Sequence, residues 1–313
     1  MLHTRVGTLE LLSPLLTGSG TFGHDGAATR FVAAGDLGAL VLKTVTPRPR
    51  PGNPPPRLVE TPSGLLNSIG LENRGLAAFL RDTVPKLETL ALPVIANAGG
   101  ESVADFERMA EAFDAVACFA AIELNLSCPN VKGGLSFSAS AAAVEEVVGA
   151  CRRRTRKPLW AKLSPNVTRI QPLAQAAEAA GADALTVCNT LLGLVIDWRS
   201  RKPVLGAGFG GLSGPAVRPV AVRLVAEAQQ AVKIPIVGSG GAQCADDVLQ
   251  FLVAGASAVQ VGTVNFRRPD AVSRIAGDMR ALLAAEQTTV AALVGSLQMS
   301  RKPPPLPTTA TAG

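Results

Sequence analysis

The sequence has no tyrosine, and aromatic residues make up only 4% of its 313 positions. Hydrophobic residues nevertheless reach 47%, so small aliphatic side chains must fill a large core. This composition suits helices packed on parallel strands better than a β-sandwich. Histidine is also scarce, since only His3 and His24 occur. Because zinc and iron sites usually draw on histidine and clustered cysteine, the sequence predicts no metal centre.

Cysteines and long apolar runs are limited as well. The five cysteines are odd in number and widely spaced, which argues against a disulfide framework and against a CxxC metal site. No uninterrupted run of about 18 apolar residues is present to span a membrane, and no long apolar segment begins the chain. These absences predict a reduced, cytoplasmic protein that is not attached to a membrane.

The charge balance is basic, with a net charge of +6 and an isoelectric point near 9.4. The clearest basic run, residues 152–157, stands where a helical pattern ends, and cations there complement the helix dipole. No aromatic residues interleave with this run, as single-strand binding would require. We therefore expect a solvated surface and no nucleic-acid partner. A docking surface for an acidic partner is the alternative.

Short apolar runs alternate with alanine-rich segments of helical spacing. The eight runs, which predict buried parallel strands, are residues 13–18, 39–43, 93–98, 121–127, 159–163, 184–189, 235–238 and 258–262. The helical segments are residues 103–117, 141–154, 170–180, 216–232 and 245–254. Eight such units predict an α/β fold, a single-domain (β/α)8 TIM barrel over residues 1–300. An open doubly wound sheet is the alternative because residues 18–23 fit GxGxxG, but Lys43 stands where an acidic residue would end the second strand.

Two segments depart from this alternation. Residues 47–71 form a long excursion after the second run and contain seven prolines. A loop of this length in a compact domain is usually functional, so we expect it at the active site. Residues 301–313 are rich in proline, threonine and alanine, which predicts a disordered tail.

Polar and glycine residues follow nearly every apolar run, at the strand ends where barrels of this kind carry their chemistry. The stretches "PIVGSGG" and "AVQVGT" end the seventh and eighth runs. Backbone amides of these two loops commonly bind phosphate in this fold. The pattern predicts a phosphorylated ligand, although tight turns alone would also require such glycines.

Two lysines, Lys43 and Lys162, end the second and fifth runs. A lysine in an apolar wall needs an anionic partner. A reduced flavin carries negative charge near N1, which a nearby cation stabilises. A structural ion pair is the alternative, but few carboxylates stand at strand ends, since Glu123 lies inside its run. We therefore expect both lysines to face one delocalised anion.

Carboxamides also gather at the expected site. They are Asn67, Asn125, Asn130 and Asn189. Because an asparagine offers donors and an acceptor without charge, such a set suits a small planar ligand with alternating N–H and C=O groups, such as a pyrimidine. The stretch "NSIGLEN" within the excursion predicts a turn whose successive N–H groups form a nest for a carboxylate.

These residues resemble those of a known family. The motifs "LKTVT", "NSIGL", "ELNLSCPNV", "AKLSPN", "CNT", "GGLSGP", "GSGG" and "VGT" run in the order found in class 1 dihydroorotate dehydrogenases. "SCPNVKGG" and "KLSPNVT" are most similar to class 1B catalytic subunits. The resemblance implies that FMN accepts a hydride from (S)-dihydroorotate, giving orotate for de novo pyrimidine (UMP) biosynthesis. It also implies a homodimer and a partner subunit with FAD and a [2Fe-2S] cluster that passes electrons to NAD, together a heterotetramer.

The resemblance also assigns site residues. Cys128 would be the catalytic base that takes the C5 proton. The positions that match orotate-binding residues are Lys43, Asn67, Ile69, Gly70, Leu71, Asn125, Asn189 and Thr190, and Asn130 is expected to join them. The positions that match flavin-binding residues are Ser19, Lys43, Thr44, Asn97, Asn125, Lys162, Cys188, Gly214, Gly240, Gly241, Gly262 and Thr263, and Gly20 adjoins them. Cys188 would act through its backbone.

The sequence departs from the family pattern at two places. The loop after Cys128 is one residue shorter than is usual in class 1B, with Ser138 where glycine is common, and Cys188 replaces an aliphatic residue. Two alternatives remain, a dihydropyrimidine dehydrogenase-like flavoprotein acting on uracil or thymine, and a non-catalytic FMN-binding paralogue. The final electron acceptor also stays open between fumarate and a partner subunit.

Overall fold

The computed structural model describes residues 2–127, 137 and 140–299. Within these residues, eight parallel strands form one sheet, and each strand overlaps a predicted apolar run. The strands are β1 (Leu15–Thr17), β2 (Leu40–Val41), β3 (Val94–Ala98), β4 (Phe119–Asn125), β5 (Leu159–Lys162), β6 (Ala184–Val187), β7 (Ile236–Ser239) and β8 (Ala256–Val261). Strand β8 pairs with β1, and a parallel bridge between Leu16 and Ala39 closes the ring. The predicted (β/α)8 barrel is confirmed.

Helices cover the outside of this barrel. They are α1 (Gly75–Asp82), α2 (Val84–Leu87), α3 (Val103–Asp114), α4 (Ala141–Arg152), α5 (Gln171–Ala179), α6 (Arg218–Gln229), α7 (Ala245–Ala254), α8 (Val264–Arg267), α9 (Ala271–Ala285) and α10 (Val290–Leu293). Helices α3 to α7 coincide with the predicted helical segments. Ser102 and Ser140 begin α3 and α4 by accepting hydrogen bonds from the amides of Asp105 and Ala143. The other helices were not predicted.

The strands separate two hydrophobic cores. Leu16, Ile95 and Trp160 belong to a buried cluster inside the barrel, whereas the larger cluster lies between strands and helices. Successive strand residues face opposite sides, so every second residue points to the barrel axis. Two residues beyond Ile95 and Trp160 stand Asn97 and Lys162, which are therefore also directed inward. This alternation carries polar side chains into the barrel near the carboxyl ends of the strands.

A short antiparallel hairpin covers the amino-terminal end of the barrel. Its strands are Thr4–Val6 and Leu9–Leu11. Val6 and Leu11 join the inner hydrophobic cluster, so the hairpin seals the end opposite the polar side chains. Solvent and ligands therefore approach the barrel interior from the carboxyl end.

A second sheet stands over the carboxyl end of the barrel. Its four antiparallel strands, in order, are Leu191–Gly193, Gly210–Ser213, Gly64–Asn67 and Leu58–Thr61. It joins the proline-rich excursion after β2 to a second excursion after β6. A two-stranded hairpin, Ile196–Asp197 with Lys202–Pro203, extends the latter. The sequence predicted the first excursion as an irregular loop and missed the second, because these strands are short and their pairing partners are distant in the chain.

Within the described residues, every helix is too short or too polar to cross a membrane. The predicted tail, residues 301–313, lies outside the described residues, as do Cys128, Asn130 and Ser138.

Candidate active site

Glu123 is the centre of a polar layer inside the barrel. It is fully buried on β4, and its carboxylate accepts hydrogen bonds from Asn97 Nδ2, Thr186 Oγ1 and Gln260 Nε2, each at 2.6 Å. Lys162 Nζ lies 3.8 Å from Glu123 Oε1. A buried carboxylate requires such pairing, because desolvation of an unpartnered charge is very costly.

Lys162 has a different environment from the one predicted. Its ammonium donates to Gln260 Oε1 at 2.8 Å and forms the ion pair with Glu123. The prediction that Glu123 would be unavailable was wrong, because its position inside β4 turns its side chain to the barrel axis, where the β5 lysine also points. Lys162 thus forms a structural ion pair with Glu123, which was the alternative considered for this lysine from the sequence.

Lys43 follows β2 and is only half-buried. Burial lowers the pKa of its ammonium, and the neighbouring Glu72 carboxylate acts in the opposite direction. Gly20 lies against it, since a Cβ on Gly20 would be 3.9 Å from Lys43 Cγ. Ser19 donates from Oγ to the carbonyl of Leu42 at 2.8 Å, which holds the loop after β1 close to the lysine. Among the described residues, Lys43 therefore lacks a close ion pair of the kind that Lys162 makes with Glu123.

A continuous row of hydrogen bonds crosses the carboxyl end of the barrel. Asn189 Nδ2 donates to Ser127 Oγ at 2.5 Å, and Ser127 donates to Asn125 Oδ1 at 2.9 Å. Asn125 Nδ2 donates to Thr44 Oγ1 at 3.1 Å, and Thr44 donates to Asn97 Oδ1 at 2.5 Å. Five predicted or neighbouring site residues, from four different strand ends, are thus joined directly.

In the segment predicted as a carboxylate nest, residues 69–71, two successive residues have left-handed backbone. Gly70 and Leu71 both have positive φ, at 75° and 54°. The amides of these residues have no acceptor among the described residues, whereas the carbonyl of Ile69 accepts from Asn53 N at 3.0 Å. Successive free amides in such a turn attract an anion. Asn67, just before the nest, donates from Nδ2 to the carbonyl of Gly211 at 3.1 Å, which links the two excursions.

The glycine loops after β7 and β8 carry unpaired amides. Within the described part of the chain, the main-chain N–H groups of Gly240, Gly241, Gly262 and Thr263 donate to no acceptor. Gly241 packs so closely on Gly214 that a Cβ there would lie 2.6 Å from the Gly214 carbonyl oxygen. Gly241 therefore lies against Gly214, and the four unpaired amides, together called the glycine cradle, are donors of the kind that a phosphate needs.

Cys188 begins the loop after β6 and is buried. Its N–H donates to the carbonyl of Ser239 at 3.0 Å, and burial raises the pKa of its thiol to about 12. A thiol in this state is chemically inert at neutral pH. Next to it, Thr190 donates its N–H to Asn189 Oδ1 at 2.9 Å, so Asn189 is held by groups on both sides.

Sequence reasoning missed several side chains that shape this site. Gln260 and Thr186 bind Glu123, and Asn73 accepts from the amides of Thr46 and Gly75 beneath the nest. The signal for Gln260 was available, since a lone amide interrupts the apolar run "AVQVGT". Thr186 and Asn73 gave no signal that separates them from ordinary strand or turn residues.

The fold and the site define the class of protein, a (β/α)8-barrel enzyme with a polar ligand site at the carboxyl end of its strands. Residues 1–283 match the family model described as dihydroorotate dehydrogenase. The chain belongs to the dihydroorotate dehydrogenase family. This membership makes it an FMN-dependent oxidoreductase acting on CH–CH bonds, and it confirms the predicted resemblance.

Curated relatives carry one shared description. A Desulforudis audaxviator protein is 50% identical over 279 residues, covering 89% of this chain and 91% of its own. A Trichlorobacter lovleyi protein is 47% identical over 299 residues, covering 95% and 98%. A Pelobacter propionicus protein is 48% identical over 292 residues, covering 93% and 96%. Each is described as the catalytic subunit of dihydroorotate dehydrogenase B (NAD(+)), which agrees with the predicted similarity to class 1B.

Proposed function

We propose that this chain oxidises (S)-dihydroorotate to orotate in de novo UMP biosynthesis. The observation that carries the proposal is the nest at residues 69–71, whose free amides lie at the same end of the barrel as the asparagine row. A nest recognises a carboxylate, which orotate has and uracil lacks. The uracil-reducing alternative leaves these amides without a function, and the relatives do not favour it.

We propose that FMN lies between the glycine cradle and the two lysines. The residues fit this group, because unpaired amides suit its phosphate and the half-buried ammonium of Lys43 suits its reduced ring. When bound, FMN supplies the hydride acceptor. The residues assigned to it are Ser19, Gly20, Lys43, Thr44, Asn97, Asn125, Lys162, Cys188, Gly214, Gly240, Gly241, Gly262 and Thr263. Since the amide of Cys188 already donates to Ser239, its contribution would come from its carbonyl.

The substrate would lie on the other side of the asparagine row. The residues assigned to it are Lys43, Asn67, Ile69, Gly70, Leu71, Asn125, Asn130, Asn189 and Thr190. The nest would hold its carboxylate, and the carboxamides would hold the alternating N–H and C=O groups of its ring. Orientation by these groups keeps the ring in the geometry that hydride loss from C6 requires.

The proton at C5 needs a base, and we assign this role to Cys128. Its neighbour Ser127 is the last residue described before it, and Ser127 donates to Asn125 and accepts from Asn189. The described strand ends offer no histidine for this task. A free thiol has a pKa near 8.5, so a modest shift brings it to the range where general bases work best. The C5 proton goes to sulfur while the C6 hydride leaves from the opposite face.

The name "catalytic subunit" carried by the relatives implies a separate electron-transfer subunit for those enzymes. We propose that this chain likewise forms a homodimer that associates with a partner bearing FAD and a [2Fe-2S] cluster. Dihydroorotate oxidation would then reduce NAD only with the partner present. We propose a cytoplasmic location for this assembly.

The purified chain tests the central proposal. We expect it to retain yellow FMN, and to oxidise dihydroorotate with an artificial electron acceptor. Uracil reduction driven by NADPH should be absent. A protein that turns over uracil but not dihydroorotate would favour the second flavoprotein class. A colourless protein that cannot be reconstituted with FMN would favour the non-catalytic paralogue.

A further inference from the structure

Two rows of hydrogen bonds end at the same buried carboxylate. The first runs from Asn189 through Ser127, Asn125, Thr44 and Asn97 to Glu123 Oε1. Every donor in it points towards Glu123, so each carboxamide presents N–H on one side and C=O on the other. The row has a single direction, and its acceptor end is the charged group.

The second row is shorter and leads to the cation. Lys162 Nζ donates to Gln260 Oε1 at 2.8 Å, and Gln260 Nε2 donates to Glu123 Oε2 at 2.6 Å. Because an ammonium only donates and a carboxylate only accepts, Gln260 has one allowed orientation between them. Thr186 gives Glu123 Oε2 a further donor, but no row continues from it in the described residues.

We infer that Glu123 is a positioning residue that sets the hydrogen-bonding direction of both rows. An ionised carboxylate has no proton to donate, so Asn97 must turn its NH₂ group towards it. That orientation fixes Thr44 as donor to Asn97, and in turn fixes Asn125 and Asn189. The faces that the asparagines offer to a ligand therefore depend on a group buried beneath them.

A glutamine at this position cannot do the same. Its NH₂ group would meet either the NH₂ of Asn97 or the NH₂ of Gln260, and two donors cannot share a hydrogen bond. One of the rows would have to reverse or break. The consequence reaches the substrate side through Asn125 and the flavin side through Lys162, without a change at either contact surface.

This inference rests on the proposed function, because its readouts use FMN and orotate. Wild-type protein that binds neither would contradict the proposed function itself. With wild-type binding established, the experiment compares Glu123→Gln with Thr186→Val. The valine variant removes one buried hydrogen bond to the same carboxylate but interrupts neither row.

The dissociation constant of FMN is measured by recovery of free flavin fluorescence, and that of orotate by the absorption change of bound FMN. We expect Glu123→Gln to weaken at least one of them by about tenfold or more, the size of one hydrogen bond to a charged group. Thr186→Val should keep both within about twofold, well below one such hydrogen bond. A general loss of core stability would lower the melting temperature of both variants and leave these constants unchanged.

A variant that interrupts only the second row separates the two effects. It also tests the inference if Glu123→Gln does not fold. Gln260→Leu removes the link to Lys162 and leaves the asparagine row intact. It should weaken FMN binding or shift the visible spectrum of bound FMN, while orotate affinity stays within about twofold. The inference is overturned if Glu123→Gln keeps both constants, if Thr186→Val reproduces its losses, or if Gln260→Leu leaves both FMN readouts unchanged.

Discussion

Gly18 and Gly262 are in direct backbone contact, so closely that a Cβ on Gly18 would lie 2.8 Å from the Cα of Gly262. The contact brings the loop after β1 against the loop after β8, and Gly18 N donates to the Val261 carbonyl at 2.8 Å. The ends of the first and last strands thus meet beside the glycine cradle, where the phosphate of FMN is proposed to bind. Space for a side chain is absent at Gly18, whereas a Cβ on Gly262 would make ordinary contacts at 3.6 Å with Thr21 Cγ2 and 3.8 Å with Gly18 Cα.

Gly18→Ala should therefore push the loop after β8 outward. We expect the free energy of unfolding to fall by about 1–3 kcal/mol, the usual range for overpacking, and FMN to dissociate more readily. Denaturant titration and FMN fluorescence measure the two effects.

Gly277→Ala in α9 is the control, because nothing lies within 4 Å of the added methyl group. That variant should be neutral or more stable by up to about 1 kcal/mol, since alanine favours helices. Equal behaviour of both variants would contradict the role of the Gly18 contact.

Gly70 is the second glycine whose replacement should be informative. Its φ is +75°, and a Cβ would lie 2.5 Å from Asn53 Oδ1 and 2.7 Å from Asn53 N. Gly70→Ala must distort the nest, so we expect orotate affinity to fall about tenfold or more, as for a lost hydrogen bond to a charge. FMN affinity should change little. Orotate titration of the flavin spectrum checks both expectations.

Gly35→Ala supplies the matched control for this change. Gly35 has a similar φ of +82°, but nothing lies within 4 Å of its added Cβ. Both variants carry the left-handed backbone cost of about 1–2 kcal/mol. Only the Gly70 variant should lose orotate affinity, and a comparable loss in the Gly35 variant would attribute the effect to general destabilisation.

The sequence was sufficient for the barrel because its signals are local. Each strand is a short apolar run, and each of α3 to α7 has its own helical spacing. The small sheet escaped prediction for the opposite reason. Leu65 pairs with Ser213, and nothing in either short segment identifies its partner. Pairing between distant segments depends on the barrel that first brings both excursions to one end.

The same distinction between local signals and contacts of distant segments applies to the site. Glycines and asparagines at strand ends were predicted as site residues from their position alone, but Glu123 was misjudged. Its role depends on facing Lys162 and Gln260 across the barrel axis, a relationship among β4, β5 and β8. Strand register determines that relationship, and single-sequence patterns do not contain it. The residues that hold ligand-facing groups in place are therefore the hardest part of such a site to predict.

Cys128 is expected to matter for turnover and little for cofactor binding. Cys128→Ala should retain FMN and lose about 10²- to 10⁴-fold in turnover, the usual worth of a general base. The deficit should shrink as pH rises, because hydroxide can remove the proton instead. Cys244→Ala, at the exposed cysteine before α7, is the control and should keep full activity. Undiminished turnover in the Cys128 variant would exclude the thiol as the base.

His24 gives a prediction about stability and pH. Its ring packs edge-on against Phe79, with centroids 6.2 Å apart. Burial and the neighbouring Lys43 charge lower the pKa of His24 from 6.5 to about 4. Between these two values the unfolded chain binds a proton that the folded protein does not. The free energy of unfolding should therefore decrease as the pH falls from about 6.5 to about 4.

Carboxylates also titrate in part of this pH range. The informative quantity is therefore the difference between wild type and variant in how the free energy of unfolding changes with pH. His24→Phe keeps an aromatic ring against Phe79, and His24→Gln keeps a polar side chain, yet both remove the titrating group. Denaturant titrations at closely spaced pH values should give both variants a shallower fall than wild type between pH 6.5 and 4. Because the two variants differ in packing, equal slopes of unfolding free energy against pH in both would assign the difference from wild type to protonation of His24. Slopes identical to wild type would mean that His24 takes up its proton equally in both states.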